Sequence, residues 1–481
     1  MDRCGRAAEF YGKMRAQVQR FPLTSASTCR KIPILMSYRT SPTTTPGMPP
    51  GISHIIGNEA AERFSFYGMR GILVVFMTTY LVNSSGVKDT MTKEESTYWF
   101  HLFVSAVYIT PILGALLADW LLGKFKTIMI LSVVYCLGHL ALALDETRVG
   151  LFVGLGLIAI GSGGIKGCVS AHVGDQFGAT NAGLLPRIYS WFYFAINLGS
   201  FAAFLIIPPL LKSHGPHWAF GVPGILMAVA TVVFWMGRHS FAHIPARGNA
   251  VWRETFSREG LRAVGRMAVI FVFVAAFWAL FDQTGSRWVI QGEKMNQQFL
   301  GFTLDPSMLQ AANPLFVMIM IPLCSFVIYP FLNRFFNLTP LRKLGLGFFL
   351  AIPSFLIPAY LESRIVAGES PHILWQVTAY FFITLAEVMI SITALEFSYT
   401  QAPKSSKSLM LGLNMAAVSL GNVFTALVNK FGAASLTGPS YFLFFAGVMA
   451  VAAIVYVGVA RFFQPRDILQ DEVPASGPAP T

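Results

Sequence analysis

Apolar runs of about twenty residues recur along this chain, and no other property narrows its fold as far. A helix needs about 20 predominantly apolar residues to cross a bilayer. Inside hydrocarbon, only helices and closed barrels satisfy their own backbone hydrogen bonds. About twelve such runs are legible, over 52–82, 98–121, 127–145, 149–174, 186–211, 217–237, 265–290, 308–333, 342–362, 372–399, 407–431 and 439–463. Charged residues make up 12% of the chain and hydrophobic ones 54%, whereas soluble proteins carry roughly a quarter charged residues. The fold class is therefore an all-α polytopic membrane protein.

The formal net charge of +12 invites a nucleic-acid reading. The basic residues, however, fall in short loops between apolar runs: Lys124, Lys126, Arg187, Arg334, Arg342, Lys343, Lys404, Lys407 and the stretch Arg238–Arg266. The opposite loops carry mixed charge, as in Lys88, Asp89, Lys93, Glu94 and Glu95. That asymmetry is the positive-inside pattern. It places the basic loops and both termini in the cytoplasm and implies a lipid partner, with no nucleic acid. Cys4, Cys29, Cys136, Cys168 and Cys324 show no metal-ligand or paired spacing. No nucleophile–base or cofactor motif appears, so the chain reads as no enzyme, with no cofactor and no metal.

The domain plan follows from the same pattern. Residues 1–50 read as a disordered basic tail and 51–237 as a six-helix bundle. Residues 238–264 read as a basic cytoplasmic linker, with Trp252, Phe256 and Leu261 spaced for an amphipathic helix on the inner leaflet. A second six-helix bundle spans 265–465, and 466–481 form a polar tail. Six and six around a basic linker is the layout of a two-bundle transporter, its site between the bundles at mid-membrane.

Charges inside the spans mark that site, because ionised groups in hydrocarbon must pair or face a watery cavity. Glu59, Glu62 and Arg63 lie at i, i+3 and i+4 on one helix face, continued by Tyr67 and Arg70. Lys166, within Gly161-Ser-Gly-Gly-Ile-Lys-Gly167, lies deep in the fourth span and calls for a carboxylate, Glu59 or Glu62. The Walker spacing for phosphate is not met there. Asp282 in the seventh span pairs naturally with Arg70, since both lie above mid-membrane on spans running outward. Glu387 and Glu396 in the tenth span are nine apart, about 180° round the helix. Glu396 is assigned to the cavity and Glu387 to packing. The cavity then has cations (Arg63, Lys166) on one bundle and an anion (Glu396) on the other, with amides (Asn197, Asn313) and aromatics (Tyr67, Tyr108, Trp278) around it. Positive at one end and negative at the other, it fits a zwitterion. Carboxylates beside a buried cation are suited to proton exchange, since burial and the cation act oppositely on them.

Five ordered motifs resemble those of the proton-dependent oligopeptide transporter (POT) family of the major facilitator superfamily: Glu59-x-x-Glu62-Arg63-Phe64-x-Phe66-Tyr67, Gly161-x-Gly163-Gly164-Ile165-Lys166, Phe192-Tyr193-x-x-Ile196-Asn197-x-Gly199-Ser200, Phe277-Trp278-x-x-x-Asp282-Gln283-x-Gly285-Ser286 and Leu395-Glu396-Phe397-Ser398-Tyr399-x-Gln401-Ala402-Pro403. The run Gly114–Lys126 around Asp119 likewise resembles that superfamily's loop signature. The resemblance implies a symporter importing di- and tripeptides with protons by alternating access, working as a monomer. By the same carry-over, Arg63 and Lys166 receive the peptide carboxylate, Glu396 holds the amine, and Asn197 and Asn313 bond the backbone. Tyr67, Tyr108 and Trp278 shape side-chain pockets. Glu59, Glu62, His101 and Asp282 serve proton coupling, and Arg70–Asp282 forms the outer gate. Phe66 departs from the family's commoner Tyr, and Gly167 from its Pro. Two extra helices and a large domain between the ninth and tenth spans are missing, which points to a bacterial inner membrane. A carrier of nitrate or another small solute, or a non-transporting sensor, stands as the alternative.

Overall fold

The computed structural model describes residues 38–400, 407–432 and 434–463. The chain separates into a unit Met1–Tyr38 and a unit Arg39–Thr481, and the second is considered below. The expected tails lie largely outside the described residues, as does the motif end Gln401-Ala402-Pro403. Residues 39–50, expected to be disordered, are instead held in place. Arg39 Nη2 donates to the Ser240 carbonyl at 2.7 Å and His243 N–H donates to the Arg39 carbonyl at 2.7 Å.

Twelve long helical stretches follow among the described residues. α1 runs Ile52–Val75 and continues through a π turn Phe76–Tyr80. α2 is Lys93–Leu117 with a π turn Ala118–Leu122, and α3 is Lys124–Leu144. Gly123, at φ 76°, makes the turn between them. α4 is Arg148–Ile165 with a short continuation Cys168–Gly174. Leu185–Met236 is one run that bends at Gly215, φ 81°, giving α5 before the bend and α6 after it. α7 is Arg258–Phe281, extended by short turns to Gly292. α8 is Ala312–Leu323, flanked by turns from Pro306 to Asn333. α9 is Pro340–Ala351 plus Pro353–Val366, α10 is Trp375–Thr400, α11 is Lys407–Phe431 and α12 is Pro439–Phe462. One small hairpin, β1 Gln298–Phe299 and β2 Phe302–Thr303, joins α7 to α8.

Local chemistry sets these ends. Thr92 Oγ1 accepts from Glu95 N–H and Thr147 Oγ1 from Gly150 N–H, capping α2 and α4. The basic linker is less helical than its pattern predicts. One six-residue turn, Ala250–Thr255, stands where an amphipathic helix was expected, and α7 already begins at Arg258. Linker and first bundle are latched: Arg247 Nη2 meets Asp119 Oδ2 at 3.3 Å, and Trp120 Nε1 donates to Asn249 Oδ1 at 3.0 Å.

Among the described residues, nine helical stretches are apolar enough to cross a membrane by length and composition alone. One of them contains the Gly215 bend and so supplies two spans. α1 escapes that criterion because Glu59, Glu62, Arg63 and Arg70 crowd into it. The charges do not cut the helix short. Glu59, Glu62, Arg63 and Arg70 are all buried among other helices.

Among the described residues the packed interior falls into two large clusters, beside a small one of Met320, Cys324 and Val388. One large cluster is built from Ile52 to Phe241 with Ile290, the other from Met267 to Tyr456. These two are the cores of two six-helix bundles, the major facilitator fold. Large apolar residues such as Leu113, Leu137, Val153, Ile225, Phe326 and Val451 face outward, as lipid requires. The bundle end holding the 237–257 linker is called the linker end below, and the opposite end the far end.

Glycines set helix spacing inside the first bundle. A Cβ on Gly114 of α2 would stand 1.9 Å from the Gly163 carbonyl oxygen of α4. Backbone meets backbone there, and neither side chain nor rotamer can yield. Gly114→Ala should therefore lower the thermal midpoint in detergent by several degrees, since overpacking costs about 1–3 kcal/mol. Gly156→Ala, in open space on α4, should leave it unchanged. Equal midpoints in size-exclusion melts would contradict the packing account.

Candidate functional site

α1 brings its charges together at mid-helix. Arg63 Nε donates to Glu59 Oε1 at 2.6 Å, one turn away, and lies 3.1 Å from Glu62 Oε2. One guanidinium thus faces two carboxylates, and all three groups are buried. Glu59 Oε2 and both Glu62 oxygens accept no hydrogen bond. The cluster is under-satisfied, which in a low-dielectric interior favours any ligand or proton that completes it.

Lys166 stands differently from the sequence expectation. It was assigned to Glu59 or Glu62, yet among the described residues it forms no ion pair. Its Nζ sits over the Phe66 ring at 4.0 Å and over the Tyr108 ring at 4.4 Å. Arg63 has taken both nearby acids, and the aromatic faces hold the ammonium instead. The side chain is 9% exposed, so its charge remains open to an incoming anion. The α4 backbone breaks at Lys166 and Gly167, between the two helical pieces.

The two acids of α10 sit in different surroundings. Glu396, expected in the cavity, is exposed. Glu387, expected to serve packing, accepts from Asn313 Nδ2 at 2.6 Å. Asn313 also bonds Thr384 Oγ1 at 3.1 Å. Glu387 lies within electrostatic reach of Tyr67 and Tyr193 of the other bundle. The nine-residue spacing correctly separated the two acids. Their absolute orientation depends on the azimuth of α10, which only its neighbours fix. Asn197 Nδ2 is engaged with the Tyr193 carbonyl of its own helix at 2.9 Å. Tyr67 packs edge-on against Phe66 and Phe204. Trp278 is buried against Phe277 and Phe281 with its Nε1–H unpartnered.

A polar seam joins the bundles toward the far end. Arg70 Nη2 donates to Asp282 Oδ1, as the sequence reading expected. Asn422 of α11 was missed there. Its Nδ2 donates to Asp282 Oδ2 at 2.7 Å and to the Val418 carbonyl at 2.9 Å. Its Oδ1 then accepts from His101 Nδ1 at 2.7 Å, which leaves His101 Nε2 to accept from Ser286 Oγ at 3.0 Å. Arg70, Asp282, Asn422, His101 and Ser286 form one connected network across the seam. Ser105 and Ser419 share a hydrogen bond at 2.7 Å, and Gln310 Nε2 donates to the Gly71 carbonyl at 3.0 Å. Arg287 meets Glu94 at 3.2 Å, and Lys212 meets Asp305 at 3.4 Å. At the linker end no ion pair joins the bundles among the described residues. A signal for Asn422 existed in sequence: Ser419, Asn422 and Asn429 repeat at three and seven residues on one face of α11.

Comparison with known proteins follows this geometry. The POT family model matches residues 125–258 and 250–437. "Peptide transporter family 1" of Drosophila melanogaster is 38% identical over 363 residues, covering 66% of this chain and 48% of that protein. "Solute carrier family 15 member 2" of Homo sapiens is 37% identical over 367 residues, covering 66% and 49%. The chain thus spans about half the length of these relatives. The crystal structure of an auto-inhibited POT family peptide transporter superposes with a TM-score of 0.80 at 34% identity, over 87% of this chain and 98% of that one. An in meso structure of the POT family transporter PepTSo gives 0.79 at 34% identity, over 86% and 98%.

The seam makes a direct prediction. With hydroxyl oxygens 2.7 Å apart, Ser105→Cys with Ser419→Cys in a cysteine-free background should oxidise to a disulfide. Locking α2 to α11 should block any cycle that opens the far end, and reductant should restore it. Full activity of the oxidised protein, judged by gel shift and transport together, would show that the seam stays shut throughout.

Proposed function

Because this chain belongs to the POT family, we propose that it is a proton-coupled symporter that imports di- and tripeptides, and peptide-like drugs, by alternating access. One observation carries the reading. Arg63 and Lys166 stand on one bundle, and Glu387, held by Asn313, stands on the other, within electrostatic reach of Tyr67. A zwitterionic peptide meets both demands at once. Its carboxylate would be received by Arg63 and Lys166, and its amine by Glu387. Glu387 takes the amine role that the sequence reading gave to Glu396.

Asn313 and Asn197 would bond the peptide backbone, and Tyr67, Tyr108 and Trp278 would bound its side chains. Lys166 is prepared for an anion because only aromatic faces hold it. Arg63 is prepared in another sense, since its carboxylate partners are exchangeable. A peptide carboxylate drawing on Arg63 would leave Glu59 and Glu62 buried without their counter-charge, and a buried carboxylate in that position takes a proton. Proton and peptide uptake would be linked at α1. A carrier of a small anion such as nitrate would leave Glu387 without a use, which favours the peptide reading.

The far-end network Arg70–Asp282–Asn422–His101 would serve as the outer gate. Protonation of His101 or Asp282 would remove an acceptor from it and loosen it. The basic loops support a cytoplasmic linker end and cytoplasmic termini. One chain holds the whole cleft, which supports a functional monomer. The absent domain between α9 and α10 favours a bacterial inner membrane, although the two relatives named above are animal proteins.

Dialanine uptake into proteoliposomes, with and without an inward proton gradient, tests the reading. Gradient-stimulated accumulation is expected, and its absence would overturn the proposal. Glu387→Gln should raise the KM for dialanine at least tenfold, about 1.4 kcal/mol, and affect N-acetylated dipeptides far less. Equal losses would remove the amine site. Glu62→Gln should abolish gradient-driven uptake and leave counterflow exchange.

A further inference from the structure

α1 has a second face. At 100° per residue, Glu62 and Ser65 lie more than a quarter turn from Arg63 and point into the first bundle, toward α3. Three kinds of fully buried polar atom on this side of α1 lack a hydrogen bond: the Glu62 carboxylate oxygens, one of them 3.1 Å from Arg63 Nε, the Tyr135 hydroxyl and His139 Nδ1. Glu62, Tyr135 and His139 are each 0% exposed. Orphan polar groups at that depth are rare and call for a reason.

Their arrangement supplies one. α1 and α3 both run from the linker end to the far end. Ser65 of α1 meets His139 of α3, with Oγ and Nε2 2.9 Å apart. One step back along both helices, Glu62 (three residues before Ser65) lies level with Tyr135 (four residues before His139), within the rise of a single turn. The Tyr135 and His139 rings stand edge-on, centroids 5.1 Å apart. Of all charged groups, Glu62 acts on Tyr135 most strongly, ahead of Arg63 and Glu59.

Proton positions follow by elimination. Ser65 Oγ–H donates to the Pro223 carbonyl of α6 at 2.7 Å. Its oxygen must then accept from His139, which puts the imidazole proton on Nε2 and leaves Nδ1 a bare acceptor. The charged groups near this face are Glu59, Glu62 and Arg63 of α1 and Lys166 of α4. From α6 come the Pro223 carbonyl and Gly224, whose added Cβ would lie 2.9 Å from His139 Cβ.

We propose that Tyr135, His139 and Ser65 are proton-positioning residues that hold Glu62 in its protonated form. When Glu62 gains a proton, its O–H donates to the Tyr135 hydroxyl oxygen. Tyr135 O–H then donates to His139 Nδ1, and the existing bonds from His139 Nε2–H to Ser65 and from Ser65 to the Pro223 carbonyl complete the chain. One O–H bond forms, on Glu62; every other group only turns. All donors point the same way, and Tyr135, His139 Nδ1 and the protonated Glu62 hydroxyl all acquire partners. The proposal deepens the reading of Glu62 as a coupling carboxylate and rests on it.

The test uses the full chain in proteoliposomes, with dialanine uptake measured against external pH. Tyr135→Phe should move the midpoint of gradient-driven uptake about one unit to lower pH, a tenfold change in proton concentration. Counterflow exchange should keep its wild-type rate, which a folding defect would not allow. A midpoint unmoved while Glu62→Gln abolishes coupling overturns the relay. A second measurement needs no transport. In nitrogen-15 NMR of labelled histidines in nanodiscs, Glu62→Gln stands in for the protonated acid, and His139→Gln assigns the resonance. Nδ1 should appear as a hydrogen-bonded acceptor in Glu62→Gln and as a free one when Tyr135→Phe is added; identical spectra overturn the proposal. Wild-type protein that carries no dialanine would defeat the peptide reading, while the NMR comparison would still decide the relay.

Discussion

Arg63 is one cation between two buried carboxylates, and the rest of the first bundle is arranged around that imbalance. A closed Arg–Glu pair would be an inert strut, since a buried ion pair with all its bonds made has nothing to gain from a ligand. Here the second acid is left over, and Lys166, the cation that might have balanced it, rests on Phe66 and Tyr108 instead. The cluster holds an acid without its own base and a base without its own acid, separated by aromatic rings. Such a set is stable only provisionally. On the proposed function, an arriving carboxylate would satisfy Lys166 and draw on Arg63, and an arriving proton would satisfy Glu62.

The seam toward the far end obeys the opposite rule. Asp282 accepts from both Arg70 and Asn422, and His101 is bonded at both ring nitrogens. Groups from α1, α2, α7 and α11 close this network with few orphans, though Arg70 Nε is one. Closure of the far end therefore depends on many hydrogen bonds of modest individual worth, about 0.5–1.5 kcal/mol each and more where a charge takes part. An interface of that kind opens when one shared member is neutralised, because Asp282 serves two partners and Asn422 three.

Much of this was legible in the sequence. The helix count, the bundle division and the Arg70–Asp282 pair all followed from apolar periodicity and from the need of a buried charge for a partner. What escaped shares a physical cause. Spacing along a helix fixes relative azimuth, never absolute azimuth. The spacing of Glu387 and Glu396 sets them on opposite sides of α10, but the bond from Asn313 of α8 to Glu387 is not readable from that spacing. Lys166 was sent to a carboxylate because ion pairing seemed its only refuge, whereas Phe66 and Tyr108 offered ring faces from two other helices. Asn422 sits on a polar face of α11, and its seam partners Asp282 and His101 lie more than a hundred residues away.

The two systems meet on a single rod. Glu59, Arg63, Tyr67 and Arg70 fall at four-, four- and three-residue steps on one face of α1, so the binding cluster and the far-end seam share that face, about 10 Å apart. Glu62 and Ser65 occupy another face, directed at α3. A helix cannot turn one face without turning the other. If peptide carboxylate shifts Arg63 away from its acids, the same small rotation disturbs Arg70 against Asp282 and alters how Glu62 meets Tyr135. Linkage among peptide, proton and gate then needs no chain of intermediary residues through the protein. It follows from placing all three contacts on a continuous α-helix whose backbone hydrogen bonds resist internal bending.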